Sequence, residues 1–335
     1  MAGGAALDSS KRSTSGKREQ AALEAEMEAI VYEEFGGPGV LRHTTGVAVP
    51  EPGPGEVRVK VAAVGVNPVD WKRRYGWVEE FYPTTFPAVP GLEFAGTVHG
   101  LGEGVTGLAV GDEVLGWTKT GAYAEYAVAG IVAPKPAGLS WEAAASLPVA
   151  GETARRVLDL IGVRAGETLF LHGAAGVVGS VGVQLAVAAG ITVVGSASEA
   201  NHAYLRGLGA IPVTYGEGLA DRVRAAAPDG VDAVFDAAGH GVLPVAIELL
   251  GGEGAARKGR IATIADVEAE KYGIAFSGVV GDPDAVRAGL TAHARQAAEG
   301  TLAVRLADTL PLKEAARAQE LSESGHVRGK LVLIP

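Results

Sequence analysis

The chain contains no cysteine. That single absence removes disulfides, thiolate metal sites, iron–sulfur clusters and a cysteine nucleophile, and leaves any metal to histidine and carboxylates alone. The seven histidines fall in no HxxxH or HExxH spacing. Long apolar runs are missing too. The richest, VGVQLAVAAGITVVG at 181–195, is shorter than the roughly 18 residues that span a bilayer, and Gln184, Gly190 and Thr192 interrupt it. Basic charge is in the minority, with 29 Lys and Arg against 39 Asp and Glu and a formal net charge of −10. No general affinity for nucleic acid or anionic membrane is expected of such a chain.

What is abundant is glycine, 49 residues of it, within a composition that is 47% hydrophobic. At 335 residues the chain exceeds one ordinary core and points to two domains of an α/β protein. Residues 1–28 read as a polar leader carrying Lys11, Arg12, Lys17 and Arg18 with no apolar stretch behind them, so a secretory signal is not expected and the chain reads as cytoplasmic. A helical pattern begins near Arg18, in REQAALEAEMEAI.

From 29 to 150, β-rich runs such as EVRVKVAAVGV (56–66) alternate with punctuation such as PEPGPGE (50–56), which predicts a compact, mostly antiparallel β domain. From 151 to 288 the rhythm changes. TLFLHG (168–173), ITVVGS (191–196), IPVTY (211–215), AVFDAA (233–238) and RIATIA (260–265) read as strands separated by Ala-rich helices, the signature of a doubly wound parallel sheet. Residues 289–335 read as helix, strand, helix and final strand, a segment that returns to complete the first domain.

TLFLHGAAGVVGSVGVQLAVAAG places a glycine turn between an apolar strand and a helix, with the frame Ala174-x-Gly176-x-x-Gly179 and Gly173 just ahead. Gly176 lets backbone approach a pyrophosphate, Gly179 lets the helix pack on the strand, and the helix N-terminus offers unpaired N–H groups to the phosphates. Counting about 20 residues on from Gly176 reaches Ser196, where an NAD-dependent protein would carry an Asp or Glu for the ribose. Ser196 and Ser198 can instead donate hydrogen bonds to a 2′-phosphate, which points to NADPH; capping of the next helix competes for the same hydroxyls.

VYEEFGGPGVLR, GVNPVDWK, VPGLEFAGTV, GVTGLAVGDEV, LPVAGETA, HGAAGVVGSVGVQLA, GVDAVFDAAG and the ending GHVRGKLVLIP occur in this order. From about Ala29 to Pro335 the chain resembles the zinc-independent quinone oxidoreductase branch of the medium-chain dehydrogenase/reductase superfamily. The resemblance implies a GroES-like β-rich catalytic domain, a Rossmann cofactor domain, NADPH as hydride donor, a cleft between the domains and a homodimer. It puts Asn67 beside the nicotinamide and Thr153 at a cofactor contact. The pyrophosphate turn spans Gly173, Ala174, Ala175, Gly176, Val177, Val178 and Gly179. Ser196, Ser198, Asn201 and Tyr215 fall toward the 2′-phosphate, Ala238, Gly239 and Ile264 at strand ends facing the cofactor, and Lys330 near the phosphates.

Two residues depart from the family pattern. Asn201 stands where a Lys or Arg is common, leaving His202 or Arg206 to supply charge, and Glu152 replaces an apolar residue near the cleft. Zinc alcohol dehydrogenases of the superfamily carry a His-Glu pair where this chain has Leu92-Glu93. Leu92 cannot ligate and Asn67 is a poor zinc ligand, so Glu93 reads as a structural carboxylate. Without a Lewis acid the substrate must be electrophilic itself: a quinone, an enone, an enal or an enoyl thioester. Asn67 and Tyr75 are the candidate catalytic donors, with Tyr82 or water as the proton source. Asp70 reads as a turn partner, and His172 as a core residue or one lying behind the cofactor contacts. Trp71, Trp77, Trp117 and Phe276 are candidates for a flat pocket wall. The alternatives are a tailoring reductase of secondary metabolism with one dedicated substrate, and a non-enzymatic NADPH- or RNA-binding protein.

Overall fold

A computed structural model describes residues 26–252, 255–278 and 281–335; most of the polar leader lies outside them. β1 (Glu26–Val31) and β2 (Arg42–Ala48) form an antiparallel pair. The helical pattern expected to run to Ile30 gives way to strand from Glu26 onward, because Met27 and Ala29 are buried while Glu26 and Glu28 are exposed, a period of two and not of 3.6.

The catalytic sheet is built from β3 (Val57–Val66), β4 (Glu93–Leu101), β5 (Glu113–Trp117), β6 (Tyr126–Ala129) and β7 (Ile131–Pro134), with α1 (Pro68–Arg74) following β3 and α2 (Trp141–Ala145) following β7. Val57, Val59 and Val61 point into the core between half-exposed or exposed Arg58 and Lys60, the alternation expected from the sequence. Toward Val66 the strand is buried on both faces.

The second layer system opens with α3 (Pro148–Ile161) and continues through β8 (Thr168–His172), α4 (Val177–Ala188), β9 (Thr192–Ser196), α5 (His202–Gly207), β10 (Ile211–Val213), α6 (Leu219–Ala226), β11 (Ala233–Asp236), α7 (Leu243–Leu249), α8 (Ala255–Lys258), β12 (Ile261–Thr263) and β13 (Ala275–Phe276). The sheet order is β10-β9-β8-β11-β12-β13 and every pairing is parallel. This is the doubly wound arrangement in which the order reverses between β8 and β11, and ligands bind outside the carboxyl ends of strands at such a reversal. β13 is not among the strands expected from the sequence, since two residues carry no periodicity. Phe170 on β8 and Phe235 on β11 are fully buried, each side chain worth on the order of 2 kcal/mol.

After α9 (Pro283–Ala298) come β14 (Leu306–Pro311), α10 (Ala315–Glu323) and β15 (Lys330–Ile334). β15 pairs antiparallel with β3 and parallel with β14, so the last strand lies in the catalytic sheet. A shared apolar seam joins the two sheets: Ala63, Ala95 and Val332 pack with Ala150 and Ala154 of α3, Val181 of α4 and Leu290 of α9.

Candidate active site

β3 ends at Val66, and Asn67 caps α1 in an extended conformation with Pro68 at the first helical position. Its backbone N–H donates to Asp70 Oδ2 at 2.9 Å, which fixes the first turn. The side chain is left free to point elsewhere, and both of its polar atoms are taken. Asn67 Nδ2 donates to Glu93 Oε1 at 2.8 Å, and Asn67 Oδ1 accepts from Lys330 Nζ at 2.6 Å. Lys330 also forms an ion pair with Glu93, whose second oxygen accepts the Val149 N–H at 2.6 Å. All three side chains are buried, Glu93 completely. Gly65 makes the approach possible, since a Cβ there would stand 2.2 Å from Glu93 Oε1.

Asp70 is buried and takes a second hydrogen bond, from the Tyr123 hydroxyl at 3.2 Å, while its Oδ1 has no partner. Burial pushes its carboxyl up to about 7. Tyr75 stacks on Trp77 with ring centroids 4.9 Å apart, and its hydroxyl donates to Glu323 Oε1 of α10 at 2.9 Å. Buried Arg74 binds Gln319 and Glu323 on the same helix. Tyr75 thus belongs to a brace between α1 and α10.

The contact across the two sheets comes from Tyr82. Its hydroxyl donates to the Gly278 carbonyl at 3.1 Å, burial raises its pKa, and the neighbouring Phe81 meets Phe276 with centroids 5.8 Å apart. Behind that contact, Arg156 on α3 binds Glu152 one turn earlier at 2.7 Å and also Ser277. Thr153 lies buried on the same helix. A cavity of about 180 Å³ between α3 and α9 is lined by Trp117, Pro148, Glu152, Arg156, Leu290 and His293. Trp117, on the wall of this cavity, is the strand partner of Glu93. Trp71 is half-buried and Trp77 exposed.

At the second sheet, Gly173 has a left-handed φ of +76° and Gly176 caps α4. A Cβ on Gly179 would stand 2.2 Å from the Gly173 carbonyl oxygen, so helix and strand meet only because the residue is glycine. Ala174 is sealed, Ala175, Val177 and Val178 are half-buried, and Gly176 is exposed. Ser196 is wholly buried; its hydroxyl accepts the Gly173 N–H at 3.2 Å and lies 2.7 Å from His172 Nδ1. Burial lowers the His172 pKa, against the pull of Asp236. Ser198 accepts from the Asn201 amide at 3.0 Å, and Tyr215 is exposed. Asp236 Oδ1 takes the N–H groups of Ala238 and Gly239, and Ile264 N–H donates to its carbonyl. These bonds shape the carboxyl edge at the reversal of strand order.

The geometry therefore joins Asn67 to Lys330 and Ser196 to the glycine turn. Lys330 is engaged by Asn67 and Glu93, and the Tyr75 hydroxyl by Glu323. Sequence reasoning missed the Lys330–Glu93 pair, 237 positions apart and without a local signal, and the bridge from Tyr82 to Gly278. The Glu152–Arg156 pair was visible in principle as an i,i+4 spacing on a helix.

Zinc does not fit this site. Asn67 Oδ1 and Glu93 Oε1 both face the Lys330 ammonium, Leu92 offers no donor atom, and among the described residues no group of three or more His, Asp or Glu is placed to hold an ion. The glycine cradle, in contrast, suits a dinucleotide pyrophosphate.

Residues 53–139 match the alcohol dehydrogenase GroES-like domain and residues 208–333 the zinc-binding dehydrogenase family. The chain is 36% identical over 246 residues to the 2-methylene-furan-3-one reductase of Solanum lycopersicum, covering 69% of this chain and 62% of the relative. It is 37% identical over 236 residues to the chloroplastic NADPH-dependent alkenal/one oxidoreductase of Arabidopsis thaliana, covering 65% and 59%. The match thus spans less than two thirds of either relative. The quinone oxidoreductase structure from Coxiella burnetii superposes with a TM-score of 0.81 at 32% identity, over 92% of this chain and 99% of the other. A GroES-like domain, a Rossmann sheet in the order described and this likeness along nearly the whole chain lead to one assignment: the chain belongs to the quinone oxidoreductase branch of the medium-chain dehydrogenase/reductase superfamily.

Proposed function

We propose that the protein is an NADPH-dependent oxidoreductase that reduces quinones or α,β-unsaturated carbonyl compounds. The observation that carries this reading is the Lys330–Asn67–Glu93 cluster: a buried, charge-balanced hydrogen-bond network occupies the place where a zinc member of the superfamily builds its metal site. No Lewis acid is available there to polarise an alcohol, so the substrate must bring its own conjugated electrophilic carbon. The two plant relatives act, by their names, on a methylene-furanone and on alkenals or enones, and one of them uses NADPH.

The glycine turn from Gly173 to Gly179 would hold NADPH, which would supply the hydride that the conjugated carbon accepts. The protein's own part is orientation, exclusion of water and management of the charge that develops on the carbonyl oxygen. Asn67, held rigid by Lys330 and Glu93, fixes the floor. Tyr82, whose hydroxyl donates to the Gly278 carbonyl between the two sheets, is the donor we assign to that oxygen, exchanging this bond for the substrate. Thr153 on α3 supports the cofactor edge. The reading includes a small-molecule substrate and a homodimer in the cytoplasm; among the described residues no helix is long and apolar enough to cross a membrane.

The test is NADPH oxidation followed at its absorbance against a panel of quinones, enones, enals and enoyl thioesters. Turnover with at least one class is expected. Tight NADPH binding with no turnover on any of them would exclude the reading.

A further inference from the structure

The choice of phosphate on the cofactor ribose needs a cation, and the end of β9 does not supply one. Ser196 is spent inside the glycine turn on Gly173 and His172, and the Ser198 hydroxyl is met by neutral Asn201. The adjacent strand offers what is missing. β10 runs parallel to β9 with Val213 opposite Ser196, so residues 214–216 leave the sheet beside the end of β9, on the edge where a ribose would lie. Arg222, one turn into α6, reaches back to that edge. Its Nε donates to the Thr214 carbonyl at 2.8 Å, and Nη2 lies 3.3 Å from the carbonyls of both Tyr215 and Gly216. Nη1 has no acceptor among the described residues. Gly218, in a left-handed conformation at φ +73°, leaves it room, since a Cβ there would stand 3.2 Å away.

We propose that Arg222, together with Tyr215, reads the 2′-phosphate, so that selection of NADPH over NADH is made at the end of β10. This rests on the NADPH reading above. Three main-chain carbonyls hold the guanidinium in place before any ligand arrives, which reduces the entropy lost on binding, and the two N–H bonds of Nη1 are left to donate to phosphate oxygens beside a fixed positive charge. The exposed Tyr215 hydroxyl adds a third donor on the same loop.

The full chain is titrated with NADPH, NADH and 2′,5′-ADP by calorimetry, at low and high salt, for the wild type, R222Q, R222K and R206Q. Because NADH lacks only the 2′-phosphate, its binding reports whether each variant is folded with an intact glycine turn. R222Q is expected to weaken NADPH and 2′,5′-ADP about tenfold to a hundredfold and to leave NADH within about twofold, with a flatter salt dependence. R222K should fall between, keeping charge but losing the main-chain anchors that fix the guanidinium. Equal losses for both dinucleotides would reduce Arg222 to a brace for its loop, and no loss, or a loss on R206Q instead, would overturn the assignment. A wild type that binds neither dinucleotide would remove the proposed function and this assignment with it; one that binds both equally would remove this assignment alone.

Discussion

The ammonium of Lys330 lies 2.6 Å from the amide oxygen of Asn67 while pairing with Glu93, at the meeting of β15, β3 and β4. Three strands distant in sequence thereby share one buried ion pair and one amide. Breaking such a pair from one side leaves a naked charge, whereas replacing both charges can be nearly neutral. Lys330→Met should cost about 3–5 kcal/mol in urea unfolding, and Lys330→Met with Glu93→Gln should recover most of that loss. Additive losses in the double variant would show that the pair is not coupled as described.

Asn67 takes part in that network but also forms the floor of the proposed cleft. Asn67→Ala should retain NADPH binding and lower turnover by at least about tenfold, because it removes the amide that holds Lys330 and Glu93 in register at the floor of the cleft. Cofactor titration and steady-state rates on the same preparation separate the two effects. Unchanged turnover would assign Asn67 to structure only.

Two buried titratable groups oppose one another in pH. The Asp70 carboxyl is pushed from 3.8 up to about 7 by burial, so the stability it contributes is fully present below about 3.8 and is lost as pH rises through about 7. His293 is lowered from 6.5 to about 4 by burial, so its contribution is present above about 6.5 and is lost as pH falls toward 4. A tenfold change in proton affinity between folded and unfolded chain corresponds to about 1.4 kcal/mol. Urea midpoints between pH 4 and 8 should therefore fall less toward neutral pH in Asp70→Asn, and fall less toward acid in His293→Gln, than in the wild type. Parallel curves for all three proteins would exclude both groups as the source.

These residues also mark what the sequence can tell. The parallel sheet was legible because each strand is an apolar run bounded by glycine, and the glycine turn because Gly173, Gly176 and Gly179 carry a steric requirement that local spacing records. Glu93 as a structural carboxylate followed from Leu92 beside it. The partner of Asn67 was not legible: Lys330 reaches it only through the pairing of β15 with β3, and a strand register across 263 positions leaves no trace in either segment. The same holds for Ser196, whose spacing from Gly176 predicts a ribose contact but whose side chain turns inward to His172.

Tyr75 and Tyr82 were both candidates for the proton-donating hydroxyl, and the structure separates their surroundings. Tyr75 donates its hydroxyl hydrogen bond to Glu323 in a brace that also holds Arg74, so Tyr75→Phe should lose one hydrogen bond to a charged group, about 1.5–3 kcal/mol of stability, with kcat on an enone little changed. Tyr82 bridges to the Gly278 carbonyl across the two sheets, and burial holds its pKa up, so it stays a donor at neutral pH. Tyr82→Phe should lower kcat by about a hundredfold, in the range expected for loss of a general acid, with a smaller change in cofactor affinity. Rates with NADPH and a fixed enone, set beside urea midpoints for both variants, distinguish the roles. A kinetic loss in Tyr75→Phe with none in Tyr82→Phe would reverse the assignment, and equal small losses in both would leave water as the proton source.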